Sequence, residues 1–511
     1  MSIFKPAPLR LVLPALLTLA LGGCIQPAPD SAAPWALAPL SNPPQTAEPE
    51  MTATPFMPGA QDTEVVYDTP TPNPPVELPP LREESDLYVV QPGDTLMRIA
   101  QLYGVTVEQI LAANDLLNPD LLEVGQVLEI PAPAPLATGP GFKIIPDSEL
   151  VNGPAAIGFD VQAFSEAAGG FLARHVEEID GAPMTGPEIV AEIARDYSIN
   201  PRLLLALLEH QSGWVTRSNP AERTYPIGLI DGFRQGLYRQ LAWAADNLNR
   251  GYYTWRAGGL SAFILADGSL VPVDPTINAG TAGVQYFFSR LYGLGAWTSA
   301  IGNEGLIATF RSFFGYPFVF AVEPLIPPEL VQPVFQLPFE RGVTWNFTGG
   351  PHGGWGDGSA WAALDFAPPG EALGCVQSNA WVAAVADGLI VRASKGRIVQ
   401  DLDGDGNEQT GWVVFYMHIE TRGRVDAGEQ LSAGDRIGHP SCEGGISTGT
   451  HLHIARKYNG EWIPADSETI PFVMDEWTST GIGYYYDGWL IQGDQSVIAE
   501  NGRSEENEIS R

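Results

Sequence analysis

Between Ile25 and about Ser85 the chain cannot build a core. The stretch is dominated by Pro, Ala, Thr and Glu, as in APDSAAPWALAPLSNPPQTAEPE and TPTPNPPVELPP. It offers too little apolar surface to offset the entropy of ordering it. Proline biases such a segment toward extended conformations of about 3.1 Å per residue, so roughly 60 residues reach about 190 Å. Whatever folds lies beyond this disordered linker (25–85), in the rest of a 511-residue chain. That length is enough for two to four units.

Ahead of the linker, MSIFKPAPLR carries Lys5 and Arg10, followed by the apolar run LVLPALLTLAL and then GGC. The run is too short to span a bilayer and has the layout of an export signal. LGGC, Leu21 to Cys24, resembles a bacterial lipobox. The resemblance implies that residues 1–24 are a lipoprotein signal peptide and that a lipidated Cys24 tethers the protein to the membrane, outside the cytoplasm. A plain secretory signal with a chance cysteine is the alternative. The two remaining cysteines, Cys375 and Cys442, are expected to pair as a disulfide in an oxidising compartment. Sixty acidic against 27 basic side chains, a formal charge of −33, exclude a nucleic-acid partner, which needs clustered Lys and Arg.

Residues 86–131 open and close with the strand patterns LYVV and QVLEI. Asp94 or Thr95 can cap TLMRIAQLYG, whose Leu96, Ile99, Ala100 and Tyr103 share a face, and Thr106 can cap VEQILAAN. With its GDTL and LAAN landmarks the segment resembles a LysM module. That implies a small βααβ fold binding N-acetylglucosamine-containing glycan, chiefly peptidoglycan. A linker is expected over 132–145.

Residues 146–323 turn helical, with INPRLLLALLEHQSGW, GLYRQLAWAADNLNRGYYTW and TINAGTAGVQYFFSRLY. Asn200 and Pro201 make a well-formed helix start. The region resembles the lysozyme-like fold of lytic transglycosylases, in which a helix ends in a catalytic Glu followed by Ser. The matching pair here is Gln211-Ser212, and glutamine has no proton to give as the general acid that glycosidic cleavage requires. Glu209 lies about 200° around the helix from position 211. The domain is read as non-catalytic. Trp214, Trp243 and Trp255 are either stacking surfaces for sugar rings or core.

From 324 to 490 the texture is strand-rich, and five of the seven histidines lie there: His352, His418, His439, His451 and His453. In THLHIARKY the two histidines point to one face of a strand, about 6.6 Å apart. A zinc–imidazole bond is about 2.0–2.1 Å long, so one histidine can bind a metal while the other stands over bound water or substrate. TGGPHGG supplies His352. WAALDFA supplies Asp365, a carboxylate in an apolar run that needs a partner such as a cation.

With GGPH, ALDFA, VAAVADG, VFYMHIE, GDRIGH and STGTHLHIARKYNG, the segment from His352 to Tyr458 resembles the LytM-type zinc endopeptidases, the lysostaphin and beta-lytic group that cut peptidoglycan cross-links. The short-spacing branch places its first histidine where this chain has Trp361. The longer gap of the beta-lytic branch fits His352 to Asp365. The resemblance implies a mainly antiparallel β peptidase domain. It assigns His352, Asp365 and His453 as ligands of one zinc ion, His418 and His451 as catalytic histidines, and Tyr486 of YYYDG as the tyrosine near the site. Such a donor set leaves an open fourth position and gives a nucleophile at neutral pH. An imidazolium at His418 or His451 and the Tyr486 phenol would stabilise the oxyanion. His439 is read as structural.

In DLDGDGNEQTG, Asp401, Asp403 and Asp405 with Gly406 follow the opening of a calcium loop. Trp412 stands where the bidentate glutamate is expected, with Glu408 as its substitute; an acidic hairpin tip is the alternative. Residues 491–511 read as a disordered acidic tail. The whole is read as a multidomain, extracytoplasmic peptidoglycan endopeptidase. A non-catalytic scaffold that activates other hydrolases, or a glycan-cleaving enzyme using the central domain, are the rivals.

Overall fold

The computed structural model describes residues 70–114, 116, 122–370 and 372–511. The expected signal peptide, Cys24 and most of the Pro-rich stretch lie outside the described residues.

Two antiparallel strands, Asp86–Val89 and Val127–Ile130, flank the helices Leu96–Tyr103 and Val107–Ala113. Thr95, not Asp94, caps the first helix by accepting from the Arg98 amide, while Asp94 accepts from the Tyr88 hydroxyl at 2.6 Å and the Gln91 amide. Thr106 and Gln109 satisfy each other's amides in a capping box. Leu96, Ile99, Ala100, Val105, Ile110, Leu128 and Ile130 fill the small core.

The flanking segments expected as linkers are held where the structure describes them. The Asn73 and Val76 amides donate to Thr276 and Pro275 carbonyls, and Arg82 donates to the carbonyls of Ile130 and Pro131. Leu136 and Gly139 donate to Leu270 and Pro272, and Ile144 and Ile145 are buried. Sparse donors in these Pro-rich segments find free carbonyls on the hairpin Ala262–Ile264/Leu270–Pro272 and the turn after it, which composition alone does not reveal.

The central region is built around the helices Gly186–Tyr197, Pro201–Ser212, Leu237–Arg256, Ala279–Ser289 and Leu306–Phe314. Asn200 caps the second through the Arg202 amide, and every residue from Pro201 to Leu208 is buried. A helix apolar on all sides belongs inside a core. Gly251 and Gly283 let two helices close up: a Cβ on Gly251 would sit 2.8 Å from the Gly283 Cα. The NAGTAGVQYF run is thus a packing seam.

The C-terminal region is built on a nine-stranded antiparallel sheet, with a four-stranded and a two-stranded sheet beside it. Its order is Gln430–Leu431, Gly388–Ser394, Arg397–Asp401, Trp412–Met417, Leu452–Tyr458, Ala363–Ala367, Trp345–His352 and Glu508–Ile509, with Glu461–Trp462 hairpinned onto Leu452–Tyr458. Trp412–Met417 is buried throughout, the mark of a strand covered on both faces. One face packs Leu364, Ile390, Val414, Tyr416 and Ile454. On the other, Val399, Val413, Phe415, Ala455 and Trp462 join the apolar cluster of the helices. Charges seal that contact: Arg392 pairs with Asp196 at 2.6 Å, Lys395 with Glu192 at 2.6 Å, and Arg397 with both acids.

The stretch 491–511 is not a disordered tail. Gln495–Ile498 pairs with Gly488–Gln492, and Glu508–Ile509 pairs with Asn346 and Trp345. Asn507 is fully buried and donates to the carbonyls of Phe347 and Gly502. Val497 and Ile509 turn inward while the acidic residues 505 and 506 stay exposed.

Candidate metal centre

Three neighbouring strands carry the centre. His453 and Asp365 are register partners on Leu452–Tyr458 and Ala363–Ala367. His352 ends the next strand, whose register shifts twice, between Phe347 and Gly349 and between Gly349 and His352. Such bulges re-aim a side chain, and here they bring the His352 ring over Asp365.

The His352 Nε2 lies 3.0 Å from the His453 Nδ1, and each lies 3.2 Å from Asp365 Oδ1. Donors around one zinc at about 2.0–2.1 Å in a tetrahedron lie about 3.3 Å apart. The outer ring nitrogens are already engaged: His352 Nδ1 with the Gly350 carbonyl at 2.8 Å, and His453 Nε2 with the Gly354 carbonyl at 3.1 Å. Carbonyls only accept, so these outer nitrogens carry the protons and the inner ones present lone pairs. Asp365 Oδ1 is buried and makes no hydrogen bond of its own. Three inward-facing acceptors repel one another unless a cation sits between them, and the donor set fits zinc.

Two more imidazoles border the trio. His418, directly after Trp412–Met417, has φ +65°, and its Nδ1 is engaged by the Glu443 carbonyl at 2.9 Å. His451 Nδ1 meets the Gly449 carbonyl at 2.7 Å, and its Nε2 lies 3.6 Å from Asp365 Oδ2. The two rings are 4.4 Å apart. Burial, with His451 and His453 alongside, pushes His418 down to about 3. Burial works to raise Asp365, but His352 and His451 outweigh it and hold the carboxyl well below its usual range. His352 is raised: burial opposes the charged ring, but Asp365 prevails.

Tyr486 stacks on His352 with centroids 4.2 Å apart, from a left-handed backbone at φ +70°. Burial first, then Asp365, raise its pKa. Its neighbour Tyr485 accepts from the Gly353 amide at 3.1 Å and packs against Trp361. Tyr485 and the carbonyls of Gly350, Gly354, Glu443 and Gly449 were not foreseen; the glycines flanking His352 are the one signal that pointed their way. His439 is not one of the converging residues: its Nδ1 is bound to the Ala380 carbonyl and its ring packs at a tilt against Trp381. Cys375 and Cys442 are joined as a disulfide, with Cα atoms 5.7 Å apart.

The calcium set does not assemble as four residues. The Asp401, Asp403 and Asp405 carboxylates lie close together. Glu408 is buried elsewhere, paired with Arg392 at 2.9 Å and Lys457 at 3.6 Å. Two cations, on the strands Gly388–Ser394 and Leu452–Tyr458, claim it, and an acidic turn remains.

In the central domain Gln211 is clamped, donating to the Ile227 carbonyl and accepting from the Tyr292 hydroxyl. Glu209 accepts from the Val215 and Thr216 amides and the Thr216 hydroxyl. Trp214 is core; Trp243 and Trp255 are half-buried against it.

Residues 88–131 match the model of the LysM domain, 143–327 that of the LasA N-terminal domain, and 370–464 that of peptidase family M23. The helical region likened to a lysozyme fold thus matches the LasA N-terminal domain, and His352 and Asp365 precede the M23 match. Protease LasA of Pseudomonas aeruginosa is 27% identical over 294 residues, covering 52% of this chain and 65% of its own length. Beta-lytic metalloendopeptidase of Achromobacter lyticus is 31% identical over 137 residues, 25% of this chain and 34% of its own. The chain spans less than two thirds of either relative. The solved M23 metalloprotease pseudoalterin, from the deep sea, is 22% identical over 35% of this chain and 99% of its own, with a TM-score of 0.29. Taken together, the sequence matches support an M23 peptidase that carries a LysM domain.

Proposed function

We propose that the protein is a zinc-dependent endopeptidase that hydrolyses peptide cross-links of bacterial peptidoglycan, outside the cytoplasm, tethered through a lipidated Cys24 and directed to the wall glycan by its LysM domain. What carries the reading is the convergence of His352 Nε2, His453 Nδ1 and Asp365 Oδ1 within 3.2 Å of one another, with His418 and His451 beside them. Zinc held by those three would supply Lewis acidity toward water and the scissile carbonyl. His418 Nδ1 is tied to the Glu443 carbonyl, leaving Nε2 facing the site. An imidazolium at His451, whose Nε2 lies 3.6 Å from Asp365 Oδ2, and the Tyr486 phenol would donate to the developing oxyanion. Gln211 and Glu209, both committed to structural hydrogen bonds, speak against glycan cleavage by the central domain. The full donor set speaks against a scaffold without activity.

Digestion of purified peptidoglycan, with mass spectrometry of the fragments, tests the reading. The expected products carry new amino and carboxyl ends at cross-links, and a chelator abolishes them. Cleavage undiminished by chelation, or new sugar ends in place of peptide ends, would overturn it.

A further inference from the structure

The loop 353–361 links His352 to the strand that bears Asp365, and its Gly354 carbonyl holds the outer nitrogen of His453 at 3.1 Å. The loop closes on itself: the Gly354 amide donates to the Ala360 carbonyl and the Trp355 amide to Ser359 Oγ, both at 3.1 Å. Its far edge does not face solvent alone. The Gly358 amide donates to Asp246 Oδ1 at 2.7 Å, on the helix Leu237–Arg256 of the LasA-type domain. No side chain fits between them. A Cβ on Gly358 would lie 1.9 Å from the Asp246 carbonyl oxygen, and one on Gly356, where φ is +70°, 2.7 Å from Asp246 Oδ1.

Trp355 is wedged between Tyr197 of the helical domain, at 6.1 Å, and Phe415 of the sheet, at 5.9 Å, with Arg397 over its face. Gly354 itself is backed by the Trp462 ring, 2.7 Å from where its Cβ would be. The Trp462 amide in turn donates to the hydroxyl of Tyr253, on the same helix as Asp246, at 2.9 Å. One helix therefore grips the loop at its outer edge and its backing.

We propose that the helical domain is a working part of the metal centre: Asp246 is a positioning residue that holds loop 353–361 and, through the Gly354 carbonyl, the ring of His453. The proposal rests on reading His352, Asp365 and His453 as the zinc site. The Gly354 bond sets which His453 nitrogen carries the proton and where the Nδ1 lone pair points. Losing an outer partner of a metal-bound histidine costs about 10–100-fold in affinity, and Asp246 acts one link further out.

The test compares full-length wild type with Asp246→Ala, Asp246→Asn and Gly358→Ala, reading zinc affinity by competition with a chromophoric chelator alongside the thermal melt. Asp246→Ala should weaken zinc about tenfold, while Asp246→Asn, which keeps an oxygen for the Gly358 amide, should stay within about threefold. Gly358→Ala leaves the Asp246 side chain chemically intact but displaces the loop, and should weaken zinc as Asp246→Ala does. It serves as the second probe should Asp246→Ala fail to fold. Unchanged affinity in folded Asp246→Ala or Gly358→Ala overturns the proposal, as does an equal loss in the Ala and Asn variants. Wild type that binds no zinc removes the metal-centre reading itself; zinc-binding wild type with unaltered variants removes only the role of Asp246.

Discussion

Five side chains in two roles separate cleanly by what their nitrogens and oxygens already do. His352, Asp365 and His453 turn their free atoms on one another, so His352→Ala, Asp365→Ala and His453→Ala should each lose zinc, measured by metal analysis after dialysis. His418→Ala and His451→Ala should retain zinc and lose about 10²–10⁴ in turnover. If His451→Ala empties the site and His453→Ala does not, the roles of the pair are reversed. These residues were legible because their chemistry is local: two histidines on one strand face, an aspartate inside WAALDFA, a histidine among glycines. Their outer partners are backbone carbonyls, which carry no residue identity and appear only once strands are bulged and paired. Glu408 was misread for a related reason. Loop spacing suggested calcium, whereas Arg392 and Lys457, brought close by sheet pairing, decide where it points.

At the level of elements, capped helices were readable from short motifs. Thr106 with Gln109 and Asn200 with Pro201 are start signals that need no tertiary help. The last strand was not. AENGRSEENEISR has the composition of a free tail, yet Ile509 and Asn507 fold it back against Trp345 and Phe347, far earlier in the chain, and Arg503 and Arg511 tie it to Pro368 and Asp475. Burying one isoleucine is worth about 1.5–3 kcal/mol. Deleting residues 505–511 should therefore lower stability by at least about 2 kcal/mol in urea unfolding, and it opens the edge of Trp345–His352, the strand that delivers His352. An unchanged midpoint would mean that the terminus is not held.

On the scale of the molecule, composition marks a boundary near residue 324, and packing ignores it. Glu192 and Asp196, on the helix Gly186–Tyr197, meet Arg392, Lys395 and Arg397 of the sheet. Val413, Phe415 and Trp462 complete a core begun by helices. Calorimetry should show the helical region and the sheet melting as one transition, and residues 324–511 alone, with that apolar face bared, should aggregate. Two separate transitions, or a soluble isolated sheet domain, would contradict the shared core. The LysM domain is seated as closely: a Cβ on Gly104 would lie 2.6 Å from Leu270, and one on Gly268 2.8 Å from the Val105 carbonyl. If the LysM domain grips glycan and the metal centre cuts peptide, as proposed, this close seating would make the molecule a calliper, and the wall would be cut at a constant offset from the point of attachment.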